Sequence, residues 1–263
     1  MFRSGTEIVD LYVTVTDSEG RLVPNLTQEG FAILDNRQPR DIVVFENDVQ
    51  PITVVVMLDT SASMTPSLDL LKVGAFNDKI QIGPTEFTDD RDVLIDELAT
   101  LDFGNPTRLY DAIESSLTAL DGIEGRRVIL VFTDGDDTGS DVGWQDVLER
   151  AVNRDVMIYA IGLESEFFNG VRSVHSQPDR NLRKLAEETD GGYFELHATD
   201  ELGLTFTRVA QELHSQYVLG FVPTRRDGQV HELRVLLGRR GMEARARRSC
   251  VAPADNDGPG ERP

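Results

Sequence analysis

Asp59, Ser61 and Ser63 carry three oxygen-bearing side chains directly after the apolar run Ile52-Thr53-Val54-Val55-Val56-Met57-Leu58. Two more oxygen donors stand in comparable places. Thr107 lies in Gly104-Asn105-Pro106-Thr107-Arg108-Leu109, just before a helical pattern, and Asp134 lies in Phe132-Thr133-Asp134-Gly135, at the end of a second apolar run. Carboxylates and hydroxyls are hard donors that suit Mg²⁺ or Mn²⁺; Mg²⁺ takes six oxygens in octahedral array at about 2.0 to 2.1 Å. If the two runs are strands of one parallel sheet, all three segments meet along its carboxyl edge, where open α/β sheets bind ligands. The competing reading of Asp59, Ser61 and Ser63 is a helix N-cap, in which a short polar side chain satisfies free amides.

The elements that must position these residues follow from periodicity. An aliphatic, β-branched run without polar alternation predicts a strand covered on both faces, as in parallel sheets. Residues 52–58, 128–132, 156–161 and 193–196 read this way. Between them, Leu109, Ala112, Ile113, Ser116, Leu117 and Leu120 trace one helical face, and Trp144, Val147, Leu148 and Ala151 trace another. Further helices fit 180–189 and 200–214, and Gly191-Gly192 is expected to relieve the turn into the last central strand. Strands alternating with helices predict an α/β fold: a doubly wound, mostly parallel sheet with helices on both faces.

The two ends of the chain differ from this centre. Val9, Leu11, Val13 and Val15 alternate in strand fashion, and 31–34 and 42–45 flank Asp35-Asn36-Arg37-Gln38-Pro39, a hairpin connection. After Gln216 come strands at 217–221, 230–237 and 242–251. The expected organisation is therefore a β segment at 7–48, an α/β domain at 50–205, and a helix end with β segment at 206–252 that pairs with the first into a small sandwich. A polar, proline- and glycine-rich tail at 253–263 is expected to be disordered.

Composition excludes several function classes. Asp and Glu total 46 against 26 Lys and Arg, a formal charge of -20, which repels phosphate backbones and anionic lipid and favours cations or basic partners. Nucleic acid is not an expected partner. The single cysteine, Cys250, admits neither an internal disulfide nor a cysteine zinc site and reads as a small buried hydrophobe. No run approaches the length of a membrane span, and Met1-Phe2-Arg3-Ser4-Gly5 lacks the apolar segment of a signal peptide.

Taken together, Asp59-x-Ser61-x-Ser63, Thr107 and Asp134 resemble the complete metal-ion-dependent adhesion site of von Willebrand factor type A domains, over about residues 50–205. The resemblance implies a Rossmann-like fold and a non-enzymatic, Mg²⁺- or Mn²⁺-dependent protein-binding module. In it Ser61, Ser63 and Thr107 would ligate the ion, and Asp59 and Asp134 would act directly or through water. A protein partner's Asp or Glu carboxylate would complete the shell. Val13-Thr14-Val15-Thr16-Asp17 with Gly20, Leu109-Tyr110-Asp111-Ala112-Ile113 and Tyr217-Val218-Leu219-Gly220-Phe221 are similar to the bacterial branch related to this family. Members of that branch are mostly exported, which implies an extracytoplasmic place for this chain if its amino terminus is incomplete. The sequence departs from the family after Ser63, where Met64 to Lys72 leaves room for a first helix of only about two turns before a strand at 73–78.

Other groups have competing readings. Asp136, Asp137 and Asp141 suggest a second cation or a solvated acidic loop; Gln145 stands where a Ca²⁺ loop needs its terminal Glu, which favours the loop. His175, His197, His214 and His231 lack metal-ligand spacing and read as ordinary surface or strand residues, and the arginines at 225, 226, 239, 240, 245, 247 and 248 as a solvated sheet face. An enzyme with Ser61 as nucleophile or Asp59 as phosphoryl acceptor is the rival function, although no G-x-S-x-G elbow or P-loop surrounds them. A structural subunit with a decayed metal site is the third, and the shortened first helix is its main support.

Overall fold

The apolar runs at the centre of the chain become adjacent strands of one sheet. The computed structural model describes residues 8–47, 52–59, 71–76, 79–99, 107–168, 173–176, 178–196 and 202–252. In chain order the first half contains β1 (Val9–Asp17), β2 (Phe31–Asp35), β3 (Gln38–Arg40), β4 (Ile42–Glu46), β5 (Ile52–Asp59), β6 (Leu71–Phe76), β7 (Ile80–Thr88), α1 (Arg91–Ala99) and α2 (Leu109–Ala119). The second half contains β8 (Arg126–Thr133), α3 (Trp144–Asn153), β9 (Val156–Leu163), β10 (Ser165–Phe168), β11 (Ser173–Ser176), α4 (Arg180–Glu188), β12 (Tyr193–Leu196), α5 (Leu202–Ser215), β13 (Tyr217–Phe221), β14 (Val230–Leu237), β15 (Met242–Arg245) and β16 (Ser249–Val251). The chain divides into two units, Met1–Asp48 with Ser215–Pro263, and Val49–His214.

In the central unit six strands lie in the order β12-β9-β8-β5-β6-β7, all parallel except β7, which runs antiparallel to β6 at the edge. The expected α/β class is thus borne out. β8 and β9 are buried almost throughout, which is why their sequences show no alternation. Every residue of the helical face read from the sequence, Leu109, Ala112, Ile113, Ser116, Leu117 and Leu120, is fully buried against this sheet. Leaving β5 the chain turns to β6 on one side, and it later enters β8 on the other, so the strand order reverses between β5 and β8. Such a reversal opens a crevice at the carboxyl ends of the two strands.

Several local expectations need correction. The second central strand starts at Leu71 rather than at 73, while the short first helix expected between Met64 and Leu70 lies outside the described residues. β7, α1 and the β10–β11 hairpin had no clear sequence signal, because β7 is an edge strand with little buried surface and α1 has almost no apolar face. Gly191 is needed for close approach, since a Cβ there would lie 1.9 Å from the Ile158 carbonyl oxygen. The left-handed turn is made instead by Asp190, at φ 61°.

The other unit consists of two antiparallel four-stranded sheets, β15-β1-β13-β4 and β16-β14-β2-β3. They enclose Leu11, Val13, Val15, Ile33, Tyr217, Leu219, Phe221 and Leu233. Tyr217 ties this core to the β1–β2 connection, its hydroxyl donating to Val23 O (2.5 Å) and accepting from Leu26 N (2.9 Å). The expected hairpin partner of β2 is not β4 but β3, across a tight turn with Asn36 and Arg37 at positive φ, while β4 joins the other sheet. Likewise 242–251 is two strands in different sheets. Cys250 is buried, as expected of a small hydrophobe. Of the two readings given for His231, surface or strand, the second holds: it lies in β14, only 2% exposed, with Nδ1 2.7 Å from Asp35 Oδ1 and Nε2 3.2 Å from Asp227 Oδ1. Arg247 is also buried, donating to the Asp10 carbonyl, whereas Arg225, Arg239, Arg240 and Arg248 are exposed. The tail at 253–263 lies outside the described residues.

Because Gly191 packs backbone on backbone, Gly191→Ala should destabilise the central unit by about 2–3 kcal/mol. Trp144, the only tryptophan, lies in that unit, so urea unfolding followed by its fluorescence provides the check.

Candidate functional site

The α2 amino terminus lacks a local cap. Arg108 holds the cap position and offers no side-chain acceptor, yet the first amides of a helix need partners. The loop after β8 supplies them. Leu109 N donates to Asp137 Oδ1 (2.8 Å), and the amides of Tyr110 and Asp111 donate to Ser140 Oγ (3.0 and 3.1 Å), whose hydroxyl in turn donates to Asp137 Oδ1 (2.5 Å). Asp111 reciprocates: its carboxylate accepts from the amides of Asp141 (3.0 Å) and Val142 (3.1 Å). Arg108 bridges the two segments, bonding Asp111 Oδ2 (2.6 Å) and Asp141 Oδ2 (2.5 Å), and the Asp111 bond holds its guanidinium pKa above the usual value. Asp137 is therefore a helix cap, whereas Asp136 and Asp141 are exposed as a solvated acidic loop predicts, Asp141 also pairing with Arg108.

A second tie runs to α4. Tyr110 donates its hydroxyl to Asp179 Oδ2 (2.7 Å) and accepts from Asn181 Nδ2 (3.0 Å). Burial first, and then the Asp179 bond, push its phenol well above the ordinary range, so it stays a donor. Asp179 caps α4 by accepting from Asn181 N (2.7 Å).

This lattice holds Thr107, one of the residues read from the sequence. Thr107 is only 8% exposed, and its backbone is pinned to the post-β8 loop: its amide donates to Thr138 Oγ1 (3.0 Å), and its carbonyl accepts from the amides of Thr138 (2.9 Å) and Gly139 (3.0 Å). Its hydroxyl bonds to no described residue. Asp134, half-buried, is the first residue beyond β8 and opens the same loop. Asp59 is the last residue of β5, and Leu58 pairs with Phe132, so Asp59 and Asp134 leave adjacent parallel strands at nearly the same level, where the strand order reverses. Thr107, Asp134 and the backbone of Asp59 thus come to one sheet edge. Ser61 and Ser63 lie outside the described residues. Among the described residues no three His, Cys, Asp or Glu side chains converge as a metal site.

Sequence reasoning missed the holding residues Asp137, Ser140, Asp111 and Arg108. The one sign was an arginine where a helix start wants Ser, Thr, Asp or Asn. Asp137→Ala should cost the domain about 1–2 kcal/mol in unfolding free energy and speed amide exchange at 109–111. Asp137→Asn, which keeps the Oδ1 acceptor, should recover most of the loss.

The von Willebrand factor type A domain model matches residues 73–208, which includes Thr107 and Asp134 and begins beyond Ser63. No curated protein sequence matches the chain. Among solved structures, a von Willebrand factor type A protein from Catenulispora acidiphila is 11% identical, covering 97% of this chain and 76% of its own, with a TM-score of 0.51. Proximal thread matrix protein 1 from the mussel byssus, solved with a zinc-occupied metal-ion-dependent adhesion motif, is 14% identical over 67% of this chain and 48% of its own, with a TM-score of 0.50. Protein BatB from Bacteroides thetaiotaomicron is 16% identical over 62% of this chain and 98% of its own, at 0.48. At such identities the likeness to the first two speaks for the fold alone. With the family model spanning just over half of the 263 residues, the chain belongs to the von Willebrand factor type A domain family.

Proposed function

We propose that the chain is a divalent-cation-dependent protein-binding module in which Asp59, Ser61, Ser63, Thr107 and Asp134 hold Mg²⁺ or Mn²⁺ and a protein partner's Asp or Glu completes the shell. Type A domains often bind a divalent metal, commonly bind proteins and are typically not enzymes. The observation that carries the reading is the meeting of Thr107 with the Asp134 loop at the β5/β8 reversal, its hydroxyl unengaged by any described residue while its backbone is fixed. The donor set fits the ion: all oxygens, with hydroxyls in the majority. When bound, the cation would supply positive charge that neutral hydroxyls do not cancel and that attracts an incoming carboxylate.

The residues of this chain do the rest. Asp59 and Asp134 bring the negative charge that retains a hard cation, and Thr107 offers a neutral oxygen from a backbone tied to the post-β8 loop. The Asp137–Ser140–Asp111 lattice keeps the loop from collapsing onto the ion's place. The zinc seen in the mussel protein's motif supports a divalent ion at such a site without selecting among metals.

Isothermal calorimetry with Mg²⁺ and Mn²⁺ tests this. The native chain should bind either ion, and Asp59→Ala or Thr107→Ala should weaken binding at least about tenfold. Their apo unfolding midpoints by Trp144 fluorescence should stay near the native value. A native chain that takes up neither ion, with no rise in melting temperature, would sink the reading.

A further inference from the structure

The same sheet edge carries a cleft of about 250 Å³ beside the end of β9, between β12 and the start of α4. Glu164, Asp179, Arg180, Arg183, Tyr193 and Glu195 line it. Three acids face two arginines there, but the charges are not equally available. Asp179 already accepts from Asn181 N and Tyr110 Oη, Glu195 is paired with Arg183 Nη2 at 3.0 Å, and Glu164 is engaged as well. The Arg183 guanidinium also stacks on the Tyr193 ring, 4.3 Å from its centroid, so it is held in place with its Nε and Nη1 bonded to no described residue. Arg180, exposed on the first turn of α4, makes no ion pair with a described residue. A guanidinium fixed by stacking and one pairing, beside a second without a described partner, is a receptor for a carboxylate.

The setting sharpens this. Between residues 49 and 214 there are 31 Asp and Glu against 13 Lys and Arg, so a partner presenting acids is repelled by this unit in general. It needs particular points of positive charge, and the ion and the unused guanidinium donors of Arg180 and Arg183 are such points on one edge. Resting on the protein-binding reading above, we infer that the cleft binds a second carboxylate of the same partner segment. Neighbouring strands lie about 4.8 Å apart, and the midpoint between β9 and β12 is two spacings from that between β5 and β8, roughly 10 Å. At about 3.3 Å per residue, an extended segment would present its second Asp or Glu two to four positions from the acid that meets the ion.

The test is a random dodecapeptide phage library panned on the full chain in Mg²⁺ and released with a chelator. Chelator-released peptides should carry two acids spaced two to four residues apart. Arg180→Glu and Arg183→Gln should each weaken the synthetic form of a selected peptide roughly tenfold, more at low salt than at high, while Mg²⁺ affinity by calorimetry stays native. Released peptides with one acid, or with Lys or Arg in the second place, would overturn the inference, as would equal binding by both variants; the ion-dependent reading would survive. If no peptide is released by chelator and Thr107→Ala matches the native chain, both fall.

Discussion

The amino terminus of α2 depends on acceptors that its own sequence does not provide. Three successive amides, those of Leu109, Tyr110 and Asp111, are answered by Asp137 and Ser140 from almost thirty residues further on. A buried helix start without such partners would carry several unmet donors, each costing on the order of 1–3 kcal/mol. The loop needs the helix as much as the helix needs the loop, because Asp111 returns its carboxylate to the amides of Asp141 and Val142. Reciprocal bonding makes the connection before α2 and the exit from β8 one local structure. Thr107 is carried with it, through both its amide and its carbonyl.

That coupling separates two jobs among the many acids of this edge. Asp137, Asp111 and Asp179 have oxygens turned to amides or a phenol and serve to hold loops, while the exposed Asp141 pairs with the Arg108 guanidinium. Asp59 and Asp134 stand at the ends of the two strands between which the sheet order reverses. In the proposed site they are the charged members of a set otherwise made of hydroxyls. Function there would require the first group to stay rigid while the second remains open to an outside ion.

The legibility of the chain follows the same division. The α/β class and the α2 face were readable because burial on both faces, or along one helical stripe, leaves a periodic mark, as in Val128 to Phe132 and Leu109 to Leu120. The donors at 59, 107 and 134 were readable because each ends or precedes such a run. Edge strand β7 and helix α1 left little mark, since neither buries a clear face. The trans cap was hidden for another reason: hydrogen bonds between segments far apart in sequence obey no period, and a cluster such as Asp136-Asp137-Thr138-Gly139-Ser140-Asp141 looks the same whether it faces water or a helix end. The partner of His231, a strand residue as read, was hidden likewise, as nothing local announces that Asp35, 196 positions away, meets its ring.

The glycine and arginine at the two ends of this logic show how sequence alone misassigns cause. Gly191 stands in a turn, which suggests a need for unusual φ, yet the left-handed residue is Asp190 and Gly191 is held by the nearness of the Ile158 carbonyl. Arg108 precedes a helix and suggests a solvated side chain. It is instead the cation between Asp111 and Asp141, where two acids would otherwise face each other without a counter-charge. Replacing it with a better local cap would satisfy the helix and leave those carboxylates in repulsion. The residue that looks wrong for the helix is the one the loop requires, and the position of Thr107 depends on that compromise.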